Sequence, residues 1–242
     1  WIPATYYCTH SLAPVMVITD TRPVTVNGFV VPFDHNDPTQ TMTVRRFDTG
    51  CIIMYRMDND AMVKCIHGQF RGHGNYVRIH GNRGLMETCR HGDRGQLRVC
   101  HDHWECAEGQ APERVYHPDF PVHADLAKEA GHGGGDFFTN HHFAEAVRSG
   151  KQPYLDVYRG VMMSVAGIQA WRSALEQGAP YDIPDFRDES IRNAYEDDDW
   201  SPDPTRDGVH KLPTTILPEL TPTEEGIAFS EDVWKKQGYH GK

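Results

Sequence analysis

Residues 130–142 read AGHGGGDFFTNHH, and this segment predicts a junction between a loop and a helix. Its three consecutive glycines, at 133–135, give the backbone access to positive φ and let it approach a neighbouring group closely. Asp136 is placed to cap the following helix, because a carboxylate accepts hydrogen bonds from the free N–H groups of a first turn. With His132 held at the turn, this helix start is a place where a polar or anionic ligand binds. A turn with a structural histidine is the alternative.

The composition excludes several classes of protein. The chain has 242 residues, of which 38% are hydrophobic, and this is enough for a domain with a sizeable core. Its apolar runs are shorter than the roughly 18 residues that a membrane span needs, so we predict no membrane partner. The formal net charge is −10 and there is no Lys/Arg stripe, so we predict no nucleic-acid partner.

The six cysteines are spread along the chain without a CxxC pair. This usage is typical of reduced thiols in the cytosol and predicts a cytoplasmic protein. Residues 100–106 read CHDHWEC and contain zinc-type ligands. Their spacing matches no standard zinc finger and a second ligand pair is missing nearby, so we predict no metal site there.

The hydrophobic pattern predicts a sheet in the first half of the chain. A helix is expected over 7–19, with Pro14 near its first turn. Strands are expected over 23–33 (interrupted by a turn), 50–57, 61–70, 75–80, 85–89 and 96–101. Asp58-Asn59-Asp60 joins the second and third strands as a hairpin. Residues 105–113 are expected to form a loop.

Helices follow the strands. They are predicted over 122–130, over 136–149 with a stop at Gly150, and after a cap at Asp156. The last helix has an apolar stripe at helical spacing, formed by Val157, Val161, Ser164, Ile168, Trp171 and Leu175. The fold class is therefore α+β: an open, mostly antiparallel sheet packed with helices. We expect one domain over 1–184 and an irregular acidic, Pro-rich tail over 185–242.

Two histidine motifs resemble a known family. Residues 9–14, THSLAP, are similar to the THGLGP motif of the Gfo/Idh/MocA oxidoreductases, in the version typical of their NAD-dependent α-N-acetylgalactosaminidase branch. Residues 131–136, GHGGGD, are similar to the GHGGMD segment of that branch. Further similarities, at 79–84, 143–158 and 164–173, extend the resemblance over 7–184. Ser11, Ala13 and Gly135 depart from the two motifs, so the galactosaminidase branch is an alternative to the wider family.

The resemblance implies hydride transfer between NAD or NADP and a carbon of a sugar, cyclitol or glycoside. The family binds this cofactor on an N-terminal Rossmann domain, but the chain has neither its GxGxxG nor its EKP motif. We therefore expect a C-terminal substrate-binding domain, incomplete for catalysis alone, with the cofactor held mainly outside these 242 residues. In the glycosidase branch, transient oxidation at C3 acidifies the neighbouring C–H, and the glycosidic bond is then eliminated.

Five residues are candidates for the site. His10 matches the family motif at a helix start and is the candidate general base, since histidine titrates near working pH. Tyr7 is the candidate for binding substrate or relaying a proton. His132, Asp136 and His141 are candidates for contacting sugar hydroxyls. The structural alternatives are a buried, hydrogen-bonded His10, a core Tyr7 and a structural role for His141.

Two further interpretations stay open. His10, His132, Asp136 and His141 have the ligand types of a metal site, although we predict none. Alternation along 61–70 places Met62, Lys64 and Ile66 on one face of the sheet and Val63, Cys65 and His67 on the other. Both faces are partly apolar, which favours helices on one side and a second copy of the chain on the other. A non-catalytic oligomerisation domain is therefore the alternative to an enzyme of sugars.

Overall fold

The structure of the chain is a computed structural model. It describes residues 2–32, 34, 37, 48–68, 74–93, 95–203, 205–217 and 223–239. The chain forms two compact units: the first unit is residues 1–73 with 158–242, and the second unit is residues 74–157. The expected boundary at residue 184 stays a prediction.

Helices and strands follow one another in the order that the sequence predicts, with additions. The α-helices are α1 Thr9–Thr19, α2 Ala124–Lys128, α3 Gly135–Ser149, α4 Val157–Leu175, α5 Glu189–Ala194 and α6 Glu224–Lys236. The strands are β1 Pro23–Val31, β2 Gly50–Met57, β3 Met62–Gly68, β4 Arg78–Gly81, β5 Gly84–Thr88, β6 Leu97–Cys100, β7 Glu113–Tyr116 and β8 Tyr181–Asp182. Short 3₁₀ helices cover Ala4–Cys8, His103–Glu105 and His132–Gly134.

The first unit is built on an antiparallel sheet with the order β3-β2-β1-β8. The predicted hairpin between β2 and β3 is confirmed, and the N–H of Met57 donates to the carbonyl of Ala61 across its turn. The predicted alternation along β3 is also confirmed. Cys65 and His67 are 1% and 8% exposed, whereas Met62 and Ile66, on the other face, are 60% and 41% exposed.

The turn predicted inside β1 is wrong, because β1 runs unbroken through Asn27 and Gly28. Gly28 instead allows α4 to pack closely against β1. A Cβ on Gly28 would lie 2.0 Å from the carbonyl oxygen of Ala170, and the Gly28 N–H donates to Ser173 Oγ at 2.8 Å. A strand glycine of this kind marks a packing contact between a helix and the sheet rather than a bend.

Helix α4 is confirmed, but Trp171 is the one residue of the predicted apolar stripe that is buried. Val157 is 66% exposed, whereas the small residues Ala166 and Ala170 are fully buried. A Cβ on Gly167 would lie 2.6 Å from the carbonyl oxygen of Thr5, so that turn of the helix touches the backbone of the first 3₁₀ helix. Small residues decide the face because they let the helix approach its neighbours closely.

The N-terminal helix is also confirmed, with its proline in a different place from the one expected. The 3₁₀ helix Ala4–Cys8 leads directly into α1, and Pro14 lies in the second turn of α1 rather than near its start. A proline has no N–H, so the carbonyl oxygen of His10, four residues earlier, receives no helical hydrogen bond from Pro14.

The second unit contains a separate antiparallel sheet with the order β4-β5-β6-β7, where the sequence predicted one sheet. Strand β7 was not predicted, because its short segment ERVY follows a loop and lacks a hydrophobic alternation. Helix α3 ends at Gly150 with φ 65°, which confirms the predicted stop. Among the described residues of this unit, only Ala127 and Gly134 are buried.

Part of the segment after residue 184 packs on the first unit. The indole N–H of Trp171 donates to the carbonyl of Pro213 at 3.0 Å. The buried Asp48 carboxylate accepts from the hydroxyl of Thr215 at 2.7 Å and from the N–H of Ile216 at 2.9 Å. These bonds attach residues 213–216 to the same unit that holds the core.

Candidate functional site

Tyr7 and His10 form an exposed aromatic pair. Their ring centroids are 5.3 Å apart with an interplanar angle of 16°, so the rings are stacked. Tyr7 is 60% exposed and His10 is also exposed. The stacking follows from the helical spacing of three residues, which brings the two side chains to one face. The structural alternatives for this pair, a core tyrosine and a buried histidine, are therefore wrong.

His132 and Asp136 form a hydrogen-bonded pair in the second unit. The Nδ1 atom of His132 lies 2.8 Å from Oδ1 of Asp136, and the two side chains are 86% and 56% exposed. If Nδ1 carries the proton, the bond fixes the ring orientation and leaves Nε2 to accept a proton or a hydrogen bond from a ligand. The pair can therefore act as an oriented base or acceptor.

The capping role predicted for Asp136 is wrong. Asp136 lies inside the first turn of α3, whose N-cap is Gly134, and no side chain caps the helix. Its carboxylate binds His132 instead. The acidic charge in the first turn still interacts favourably with the helix dipole.

The geometry of this loop explains two of its glycines. A Cβ on Gly131 would lie 2.4 Å from Oδ2 of Asp136, so a larger residue at 131 would displace that carboxylate. Gly134 has φ 99°, and a Cβ there would lie 2.7 Å from the ring of Phe120. His132 itself has φ 54°, a left-handed backbone that non-glycine residues rarely adopt. The loop therefore holds His132 in a backbone conformation that histidine seldom adopts.

His141 lies in an aromatic cluster on α3. Its ring stacks on Phe137 with centroids 5.7 Å apart and meets the ring of His123 edge-on at 4.8 Å. His142 also contacts it, with centroids 5.5 Å apart. His123 was missed by the sequence analysis, and its sequence signal was weak: it precedes a helix, where it adopts φ 55°. His141 is thus packed among rings rather than held by a polar partner.

Several groups in the core have pKa values that burial displaces. Burial raises the pKa of Cys51 and of Cys65 to about 12, and burial also raises that of Tyr6 to about 12. A thiol with such a pKa is protonated at neutral pH and is a poor nucleophile. The buried thiols of Cys51 and Cys65 are therefore unsuited to covalent catalysis.

No three His, Cys, Asp or Glu side chains of the described ranges are grouped so as to hold a metal ion. All six cysteines are free thiols, including Cys100 and Cys106 of the segment with zinc-type ligands. Two cavities of about 250 and 260 Å³ are lined by other residues and include none of the five predicted site residues. Within the part of the chain that the structure describes, no helix is long and apolar enough to cross a membrane.

The open antiparallel sheet covered by helices is the fold of the C-terminal domain of Gfo/Idh/MocA-type oxidoreductases. An aldose-aldose oxidoreductase from Caulobacter crescentus, solved with glycerol, aligns with a TM-score of 0.54 and 16% identity over 72% of this chain and 45% of its own. An oxidoreductase from Agrobacterium radiobacter, solved with NAD⁺, L-tartaric acid and magnesium, aligns with a TM-score of 0.52 and 13% identity over 71% and 46%. These similarities confirm the predicted fold class.

The family within this class is also defined. The model of the glycosyl hydrolase 109 C-terminal domain matches residues 21–193, and the chain belongs to this family. An α-N-acetylgalactosaminidase from Tannerella forsythia is 30% identical over 138 residues, which cover 52% of this chain and 29% of that protein. The chain matches only 24% and 17% of the length of two other curated relatives. The predicted resemblance is confirmed.

Proposed function

We propose that this chain supplies the sugar-facing domain of an NAD-dependent glycosidase that works by transient oxidation at C3. The family match and the similarity to a protein named α-N-acetylgalactosaminidase support this branch. The observation that carries the proposal is the exposed Tyr7–His10 pair within the motif-like segment 9–14 and its flank. NAD, held mainly outside this chain, would take the hydride from C3.

His10 is the proposed general base of this reaction. As the hydride leaves C3, the C3 hydroxyl must lose its proton, and an exposed imidazole can accept it. Tyr7 lies against the imidazole and would orient it or relay the proton to solvent.

His132 is the proposed contact to sugar hydroxyls. Its bond to Asp136 restricts the ring, which lowers the entropic cost of ordering it on a ligand. The glycines around it leave the ring open to solvent, in keeping with its 86% exposure. His141 is proposed as a weaker contributor that presents an aromatic edge, since Phe137 covers one face of its ring.

Net oxidation or reduction of a sugar or cyclitol, with NAD or NADP, is the second candidate function. Ser11, Ala13 and Gly135 stand where the galactosaminidase motifs have glycine, glycine and methionine. These substitutions favour a substrate that differs from the one those motifs serve. The similarity of the fold to proteins named oxidoreductases is compatible with both candidates.

We also propose that the outer face of the first sheet joins two copies of the chain. Phe29, Ile52 and Ile66 lie opposite one another on β1, β2 and β3 and are 49%, 41% and 41% exposed. A continuous apolar row of this kind is typical of an interface. Ile52→Lys is expected to halve the mass of the particle measured by light scattering, and an unchanged mass would contradict the interface.

The test of the glycosidase proposal uses the protein expressed from its natural reading frame. With NAD⁺ and nitrophenyl α-N-acetylgalactosaminide in D₂O, we expect release of nitrophenol, no net accumulation of NADH, and deuterium on the carbon next to C3 of the product. Accumulation of NADH with a free sugar would support the oxidoreductase instead. If neither product forms, the non-catalytic oligomerisation role remains as the alternative.

His10→Ala is expected to lower kcat by roughly 10²–10⁴-fold, the usual contribution of a general base. The matched control is His80→Ala, since His80 is an exposed histidine on β4. It should leave kcat unchanged. Equal losses in the two variants would show that His10 has no specific role.

A further inference from the structure

A cavity on one face of the second sheet has three arginines among its described lining residues. Arg78, Glu87 and Arg98 lie opposite one another on β4, β5 and β6, and residues paired in this way share a face of an antiparallel sheet. Arg90, which follows β5, and Gln96, which precedes β6, also line this cavity, whose volume is about 250 Å³. Val115 also lines it.

The charges of this cavity do not cancel. Glu87 accepts from Nε of Arg78 at 2.5 Å and from Nη1 of Arg98 at 2.7 Å. Nη2 of Arg98 also donates to Glu113 at 2.7 Å, although Glu113 does not line the cavity. Three guanidinium groups therefore face one carboxylate in the lining, or two if Glu113 is counted, in a chain whose formal net charge is −10.

The guanidinium groups are oriented before any ligand arrives. The Arg78 and Arg98 side chains are fixed by the shared Glu87 carboxylate, which is only 12% exposed, and these bonds hold its pKa below the usual range. The guanidinium carbon of Arg90 lies 4.3 Å from the ring centroid of Tyr76. Stacking uses the face of a guanidinium and leaves its N–H edges to bind an anion.

We propose that this cavity binds a small tetrahedral oxyanion, phosphate or sulfate, either as the free ion or as a monoester. Each arginine has five N–H donors, so donors remain on Arg78 and Arg98 beyond those that Glu87 and Glu113 accept. The three arginines come from β4, from β6 and from the segment after β5, and this arrangement suits an anion with oxygens in several directions better than a planar carboxylate. The volume, just below the ~300 Å³ of the smallest typical ligand pockets, suits a small ligand.

Calorimetric titration of the chain with inorganic phosphate and with sulfate tests the proposal. We expect saturable binding at one site that weakens as salt increases, because the attraction is between charges. Arg90→Gln and Arg98→Gln should each weaken binding by at least about tenfold, the equivalent of one charge-assisted hydrogen bond. The matched control, Arg83→Gln, removes an exposed arginine paired with Glu105 outside the cavity and should leave binding unchanged.

Glu87→Gln gives a sharper test. It keeps the size of the side chain and removes the negative charge that competes for Arg78 and Arg98, so binding should tighten severalfold. Circular dichroism checks that each variant is folded. Absence of saturable binding, equal affinity in Arg90→Gln and wild type, or weaker binding in a folded Glu87→Gln would overturn the proposal.

Titration with a hexose 6-phosphate distinguishes the two sources of the anion, the free ion and a monoester. Tighter binding than inorganic phosphate indicates an ester ligand, and equal affinity indicates the free ion. These measurements use binding alone, so they do not depend on the glycosidase reaction.

Discussion

The two units of this chain differ in what they bury. The first unit has two clusters of buried side chains: one includes Leu12, Ile53 and Tyr55, and the other includes Trp171. The second unit, over its described residues, buries only one alanine and one glycine, and its sheet is crossed by ion pairs such as that between Arg78 and Glu87. The first unit is therefore specified by packing and the second mainly by hydrogen bonds and charge pairs.

This difference assigns different tasks to the two units. Burial of apolar surface is the main source of stability, so the first unit carries most of it. The second unit leaves polar groups exposed, among them the His132–Asp136 pair and the arginine-lined cavity. Exposed polar groups on a supported scaffold are what ligand binding requires.

Substitutions of two tryptophans should give the largest difference in stability between the two units. Trp171 is fully buried and donates to the carbonyl of Pro213, whereas Trp104, in the second unit, is 81% exposed. Trp171→Ala should lower the free energy of unfolding by about 3–5 kcal/mol, because it leaves a cavity in the core. Trp104→Ala should change it by less than about 0.5 kcal/mol. Urea unfolding followed by circular dichroism measures both values, and similar losses would refute the contrast.

Substitutions of two glycines should have different effects, one on stability and the other on ligand binding. Gly28→Ala forces a methyl group against the Ala170 carbonyl and should cost about 1–3 kcal/mol of stability or more. Gly131→Ala places its methyl group against the Asp136 carboxylate, a flexible and exposed side chain. It should change stability by less than about 1 kcal/mol but weaken sugar binding, as measured by calorimetry. A stability loss at Gly131 equal to that at Gly28 would mean that the loop also holds the fold.

Asp198 offers a smaller, pH-dependent effect. Its hydrogen bonds to Arg172, at 2.6 and 2.7 Å, lower its pKa, and the two side chains are only 23% and 17% exposed. A carboxyl whose pKa is lowered on folding stabilises above its unfolded pKa, about 4, and this stabilisation disappears as the pH falls through the lowered value. Asp198→Asn should remove roughly 1–2 kcal/mol at neutral pH.

The check on this prediction is the pH dependence of the unfolding free energy. The difference between wild type and Asp198→Asn should shrink as the pH falls below about 4. Asp136→Asn, in the exposed pair of the second unit, should give a difference of at most about 1 kcal/mol. A difference at Asp198 that does not depend on pH would exclude the ion pair as its cause.

Local signals predicted much of the fold. The turn residues Asp58-Asn59-Asp60 located the β2–β3 hairpin, and Gly150 located the end of α3. Tertiary contacts were not predictable in the same way. Gly28 looks like a turn residue in sequence, but its role comes from the Ala170 carbonyl, which is 142 positions away along the chain.

The contacts of the candidate site residues were only partly predictable from the sequence. The spacing of four between His132 and Asp136 brings the two side chains together, as such spacings do in helical turns, but the sequence analysis assigned Asp136 to capping. His123 was missed because its contact with His141 depends on how α2 packs on α3. The roles of His10 and Tyr7 in catalysis stay predictions.

Hydrogen–deuterium exchange of the chain, read by mass spectrometry, tests the division between the two units most directly. Amides of β2 and α4 should exchange only through global unfolding, because they lie in the packed core. Amides of β5 and β6 should exchange at least about 100-fold faster, through local opening of a sheet without buried residues. Equal protection of β2 and β5 would contradict the account, since it would mean that the second sheet is as strongly held as the first.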